Sequence, residues 1–252
     1  MTVPAYAAGC VLAVAGWLAL YRLPFADPAR RRRTALWLAD RTGLRPDPAF
    51  AVFATSLYLG LAAAVLAVLL PLTDLSLDQV VGRPSTALLF GLPLAVLGTS
   101  SLNILCVSLL YRAAPRVDVP GEIARIRWIA SILTLPRRYR WIVPATAALF
   151  EELVFRGAVL LGLGSLHSGF AFAAVFSTLL FAAGQVVLVS TPVQAYVMAT
   201  SSIALGTVGS LLIAATGSIL PALVLHMSFA GFYTTMSATA RPQGANTRRP
   251  SL

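Results

Sequence analysis

Long apolar stretches alternate with short polar ones along this chain. A helix needs about 20 mostly apolar residues to cross a bilayer. Seven segments meet that need: residues 4–23, 50–72, 86–111, 141–163, 170–189, 193–215 and 219–236. The pattern predicts an all-α polytopic membrane bundle of about seven transmembrane helices, built as one domain over residues 1–239. A disordered cytoplasmic tail, 240–252, is expected to follow, because Pro242, Gly244 and Pro250 punctuate a polar run there. Between the third and fourth segments, residues 121–135 place Ile123, Ile126, Ala130 and Leu133 on one helical face, with Glu122 and Arg125 on another. That spacing fits an amphipathic helix on the cytoplasmic leaflet or a solvated connecting helix. In the sixth segment Ser202, Gly206 and Ser210 recur at every fourth position, which predicts close helix packing inside the bundle.

Composition sharpens the membrane reading. Of 252 residues, 58% are hydrophobic and 11% charged, against about 25% charged in soluble domains. A water-soluble protein of this size cannot bury that much apolar surface. The net charge of +10 comes from 19 basic residues, all arginine. They cluster between apolar runs, as in membrane loops, so no nucleic-acid partner is expected. Arg22, the run Arg30–Arg33, Arg41 and Arg45 fall in the first loop. Arg112, Arg116, Arg125, Arg127, Arg137, Arg138 and Arg140 fall in the third, and Arg241, Arg248 and Arg249 in the tail. A seven-span path puts all of these on one side and Arg83 alone on the other. The positive-inside rule then places the amino terminus outside and the tail in the cytoplasm of a multi-pass cell-membrane protein. The first segment lacks positive charge before its apolar run and reads as an anchor, not a cleaved signal. Cys10 and Cys106 form no disulfide framework, and His167 and His226 are too few for a histidine-rich metal site. No metal and no cofactor is expected.

Ionisable groups in hydrocarbon cost a few kcal/mol each on insertion scales and usually mark function. Four lie well inside the predicted spans: Glu151, Glu152, Arg156 and His226. Glu152 and Arg156, four apart, can pair along one helix face. Glu151 points about 100° away from Glu152 at 3.6 residues per turn, so an ion pair leaves it over. An unpaired carboxylate there must take up a proton or face a watery cavity. Glu151 and His226 each lie about 15 Å, ten or eleven residues of helix, from the arginine-rich side, and so share a level if their helices are neighbours. Pro144 and Pro221 are expected to help bend these two spans and admit water.

The stretch EELVFRG, Glu151 to Gly157, resembles the EExxxR signature of the CAAX protease and bacteriocin-processing family of intramembrane glutamic endopeptidases, which includes the Ras-converting CAAX endopeptidases. FSTLLFAAGQ, Phe176 to Gln185, is similar to that family's second motif region. TGSILPALVLH, Thr216 to His226, is similar to the last. The resemblance spans about a third of the chain, within a core motif region of 140–236. It implies hydrolysis of a peptide bond in a membrane-associated peptide or protein. It also implies Glu151 as the general base, Glu152 and Arg156 in the remaining motif positions, and His226 in the oxyanion-holding position. Two positions depart. The second motif is normally FxxxH, and here Phe181 is followed by Gln185. The third is normally HxxxN or HxxxD, and here His226 is followed by Ala230. Gln185 can hold a water but cannot take its proton near neutral pH.

Three readings follow: an intramembrane endopeptidase with an altered site, a non-catalytic relative that binds a membrane peptide as an immunity or regulatory factor, and a small transporter using Glu151 as a proton relay. Substrate, oligomeric state and the role of the first three spans are not readable from sequence.

Overall fold

The computed structural model describes residues 1–83 and 88–239, with side chains described outside 84–90 and 232–239. The expected start of the third span and the tail 240–252 therefore lie outside the described residues, wholly or in part. Twelve α-helical segments run in order: α1 (Val3–Ala26), α2 (Pro28–Thr42), α3 (Pro46–Leu69), α4 (Leu77–Val81), α5 (Leu88–Ala113), α6 (Val119–Ala124), α7 (Arg127–Ile132), α8 (Ile142–Glu152), α9 (Gly162–Ser165), α10 (Phe170–Val187), α11 (Pro192–Thr216) and α12 (Leu220–Thr239). A π-helix, Leu153–Leu161, joins α8 to α9 without a break. No strand occurs among the described residues, so the all-α polytopic bundle holds.

Among the described residues, helices run through most of each of the seven apolar segments. Five of them are by themselves long and apolar enough to cross a membrane: Val3–Ala26, Pro46–Leu72, Gly91–Ala113, Phe170–Val187 and Pro192–Thr216. The protein is a multi-pass membrane protein. Its outer surface carries large apolar side chains in rows, as on α5, where Leu94, Leu97, Ile104 and Leu105 are exposed. Such a face suits acyl chains and not water.

Local chemistry sets the ends of the elements. Asp27 stops α1 and caps α2 by accepting from the Ala29 amide at 2.9 Å. Ser76 and Gln79 form a capping box on α4. Thr191 caps α11, whose far end closes on Gly217 at φ 67°. Pro144 and Pro221 sit in the first turns of α8 and α12, so they start these helices and do not bend them.

The centre of the bundle is the run from α8 through the π-helix. Val154, Phe155, Arg156, Ala158, Val159 and Leu160 in it are all buried. Around it stand α1, α3, α10, α11 and α12, while α5 packs outside against α11 and α12. Small residues at every fourth position of α11 serve packing within the bundle, as their spacing predicts. A Cβ on Gly206 would lie 2.6 Å from the Thr178 methyl group on α10, and Ser202 and Ser210 are buried.

The stretch 121–135 is not the single amphipathic helix its spacing suggests. It breaks into α6 and α7 at Arg125 and Ile126. Val119, Ile123, Ile126, Ile129 and Leu133 bury together with Val197 and Met198 of α11 in a second, smaller core. Ile123, Ile126 and Leu133 are those the periodicity picks out, but Ile129 takes the place expected for Ala130, because the helix breaks at Arg125 and Ile126 and its phase starts again in α7. Their partner is the end of the bundle, because a wall of α11 stands within reach.

Candidate active site

Five side chains singled out by sequence, Glu151, Glu152, Arg156, Gln185 and His226, meet in one buried cluster at the centre of the bundle. Glu151 and Glu152 end α8, Arg156 follows on the π-helix, Gln185 comes from α10 and His226 from α12. The ion pair expected between Glu152 and Arg156 is present at 3.3 Å, with both side chains 1% exposed. Arg156 also lies over the Phe181 ring, 4.6 Å from its centroid. A planar guanidinium suits such stacking better than an ammonium would.

Glu151 is not a lone carboxylate. Its Oε1 accepts from the hydroxyl of Tyr58 on α3 and from Gln185 Nε2 at 3.3 Å. Its Oε2 lies 3.4 Å from His226 Nε2. The other ring nitrogen of His226, Nδ1, lies 2.8 Å from Glu152 Oε1. One imidazole thus bridges two adjacent carboxylates, and Phe181 packs edge-on against it at 5.5 Å. His167 stands apart, exposed in the turn between α9 and α10.

Tyr58 is the site residue that sequence reasoning missed. It is one tyrosine in an apolar run, and its helix lies outside every recognised motif. Its placement is well supported. Trp17 Nε1 donates to its carbonyl at 3.2 Å, and the rings of Trp17 and Tyr21 lie 4.8 and 4.9 Å from its own.

A cavity with about 950 Å³ of empty volume, its open mouth included, reaches this cluster. Tyr58, Glu151, Gln185 and His226 form its polar end, and Ala230 lies in its wall. The remaining wall is mostly apolar, with Ala51, Ala54, Ala147 and Ala148 leaving room. Trp128, Ser131 and Ile132 of α7 close it on the arginine-rich side. A cavity of this size and lining accepts an apolar chain and orients it with few polar groups.

The π-helix has a visible cause. Its wide turn sets carbonyls where neighbouring helices can bond to them: Ser177 donates to Phe155 O at 2.5 Å, and Tyr6 to Ala158 O at 2.7 Å. Gly157 admits α4, since a Cβ there would sit 2.5 Å from a Val80 methyl. Such wide turns are common at functional sites.

These features define a class, a polytopic membrane protein with a glutamate-centred cavity among its helices. The comparisons narrow it. The model of one protein family, Rce1-like, described as type II CAAX prenyl endopeptidase Rce1-like, matches residues 138–232. No curated protein matches the chain, and no solved structure does. The match runs from just before α8 into α12 and leaves α1 to α7 outside it. It bears out the likeness to the CAAX protease family carried by EELVFRG and supports an intramembrane protease of the CAAX type.

Proposed function

We propose that this protein is an intramembrane endopeptidase of the CAAX type, hydrolysing a peptide bond of a membrane-associated peptide or protein. The observation that carries this reading is the Glu151 carboxylate in the cavity wall, with one oxygen against His226 and the other held by Tyr58 and Gln185. Glu151 takes a proton from water as the water oxygen adds to the scissile carbonyl carbon. The carbonyl oxygen then carries the negative charge, and His226 donates to it. The proton passes to the amide nitrogen, the C–N bond breaks, and an acid and an amine leave. Glu152 holds the imidazole by its far nitrogen, and Arg156 pairs with Glu152 and balances its buried charge. The amino terminus lies outside in this proposal, and the cavity opens toward the cytoplasm through the arginine-rich side.

A specific observation favours a second reading, a catalytically impaired relative that binds a membrane peptide as an immunity or regulatory factor. Gln185 stands beside Glu151 where the family carries a histidine, and Ala230 lines the cavity where it carries Asn or Asp. Losing one oxyanion donor costs about 100- to 1,000-fold in rate. One experiment separates the two. The purified protein in detergent is offered prenylated CAAX peptides, beside Glu151→Gln and the double variant Gln185→His/Ala230→Asn. Cleavage by the wild type that falls at least about 100-fold in Glu151→Gln supports the enzyme. Cleavage only by the double variant supports the binding protein.

A further inference from the structure

In the proposed hydrolysis a negative charge builds on the carbonyl oxygen, and fixed donors aimed at that oxygen are the largest single source of rate. His226 supplies one. Ala230, one turn further along α12, brings only a methyl group to the cavity wall. Other polar side chains of the cavity are committed. Tyr58 and Gln185 both bond to Glu151. Thr55 closes on the Ala51 carbonyl at 2.9 Å, and Ser201 turns to Asn103 of α5 at 2.5 Å.

Ser202 of α11 is different. It lines the cavity, it is 3% exposed, and its hydroxyl makes no hydrogen bond among the described residues. The hydroxyls of Thr200, Ser210 and Thr216 on the same helix each donate to the carbonyl four residues back, at 2.9, 2.8 and 2.7 Å. A buried hydroxyl that forgoes this bond and borders a cavity is open to a ligand. Its position fits the reaction. Ser202 shares a helix face with Gly209, seven residues on. A Cβ on Gly209 would lie 3.4 Å from Ala222 of α12 and 3.7 Å from Arg156 Nε, so this face is turned toward the charged cluster. α11 and α12 run antiparallel across the turn at Gly217. Seven residues back from Gly209 therefore match seven forward from Ala222, which puts Ser202 at the level of Phe229, about one turn past His226. Gly206 meets Thr178 of α10, so by the same count Ser202 falls between Phe181 and Gln185.

We propose that Ser202 is a further catalytic residue, whose hydroxyl donates a hydrogen bond to the oxygen of the tetrahedral intermediate beside His226. The proposal rests on the endopeptidase reading and adds to it a donor from outside the three motif stretches. As the water oxygen adds to the carbonyl carbon, the π pair moves onto the carbonyl oxygen, where Ser202 and His226 meet the charge. When the C–N bond breaks, that pair returns to re-form the carbonyl. No covalent bond to Ser202 forms or breaks, and it keeps its proton throughout.

The test compares the full-length protein in detergent with Ser202→Ala and Ser210→Ala. Each is given a prenylated CAAX peptide and the same peptide with a phosphinate in place of the scissile amide. The phosphinate carries the tetrahedral shape and the charged oxygen, and analogues of that kind bind at least about 100-fold tighter than substrates. Ser202→Ala should lower kcat about 100-fold with KM within about 2-fold, and should weaken phosphinate binding by a similar factor. The unchanged KM also shows that the variant folds. Ser210→Ala removes a buried hydroxyl closed on its own helix and should keep kcat within about 2-fold. An unchanged kcat in Ser202→Ala, a rise in KM in place of the fall in kcat, or an equal fall in Ser210→Ala overturns the proposal and leaves the endopeptidase reading standing. A wild type that cleaves nothing, yet binds the phosphinate about 100-fold tighter than the amide and loses that margin in Ser202→Ala, removes turnover and leaves Ser202 as the donor. A wild type that neither cleaves nor prefers the phosphinate overturns both.

Discussion

His226 joins the two carboxylates of the site, its ring nitrogens facing Glu152 and Glu151 at 2.8 and 3.4 Å. Both carboxylates, the Arg156 guanidinium and this imidazole are buried together, and buried ionisable groups persist only where they have partners of this kind. Tyr58 steadies the Glu151 carboxylate, and hydrogen bonds to charged groups are worth about 1.5–3 kcal/mol. Tyr58→Phe should therefore lower kcat about 10- to 100-fold with KM little changed, measured on a prenylated peptide. Arg156 contributes to stability. Its three guanidinium nitrogens make no hydrogen bond, only the ion pair and the Phe181 stack. Arg156→Leu leaves Glu152 short of its counter-charge and should destabilise the fold by about 3–5 kcal/mol. Thermal unfolding in detergent reads this, and Arg156→Lys should recover little of it because an ammonium cannot stack in plane.

At the scale of elements, the site depends on how closely three helices approach the α8–π run. Gly206 sets the spacing of α10 from α11. Gly206→Leu would drive the Thr178 side chain away and shift Gln185 with α10. Overpacking costs about 1–3 kcal/mol, so a lowered thermal midpoint together with weakened peptide binding is expected. The same elements show what was legible in the sequence. The charges inside apolar runs disclosed Glu151, Glu152, Arg156 and His226, because nothing else explains a charge at that depth. Gln185 became visible only through the motif around it. The π-helix was not legible, since it arises from Ser177 and Tyr6 bonding to its carbonyls across the bundle. Helical phase drawn from 3.6 residues per turn still paired Glu152 with Arg156, because four residues stay close to one full turn in an α-helix and in the wider π-turn alike. The fold of 121–135 into two short packed helices was hidden for a similar reason. Periodicity reports which face is apolar and is silent on what covers it.

At the scale of the whole molecule, the charge pattern gives the proposal an orientation. On the proposed seven-span path, seven arginines in the first loop and seven in the third fall on one side, against Arg83 opposite. Each basic residue near an anionic leaflet is worth about 1 kcal/mol, so the imbalance strongly favours one orientation. In this proposal the consequence is functional. Arg22 and Arg127, which line a smaller concavity beside the cavity, and α7, which lines the cavity itself, belong to the arginine-rich loops. A substrate is then expected to arrive from the cytoplasmic face. Cysteine labelling tests this in a Cys10→Ala/Cys106→Ala background, since both native cysteines are free. In intact cells a membrane-impermeant maleimide should label Thr2→Cys and Asp74→Cys. Arg32→Cys and Arg116→Cys should react only after the cells are permeabilised. The reverse pattern would place the arginine-lined concavity outside and remove the cytoplasmic route. Labelling of Thr2→Cys and Arg32→Cys from the same side would mean that α1 does not cross the bilayer, and the side assignments of all later loops would have to be drawn again.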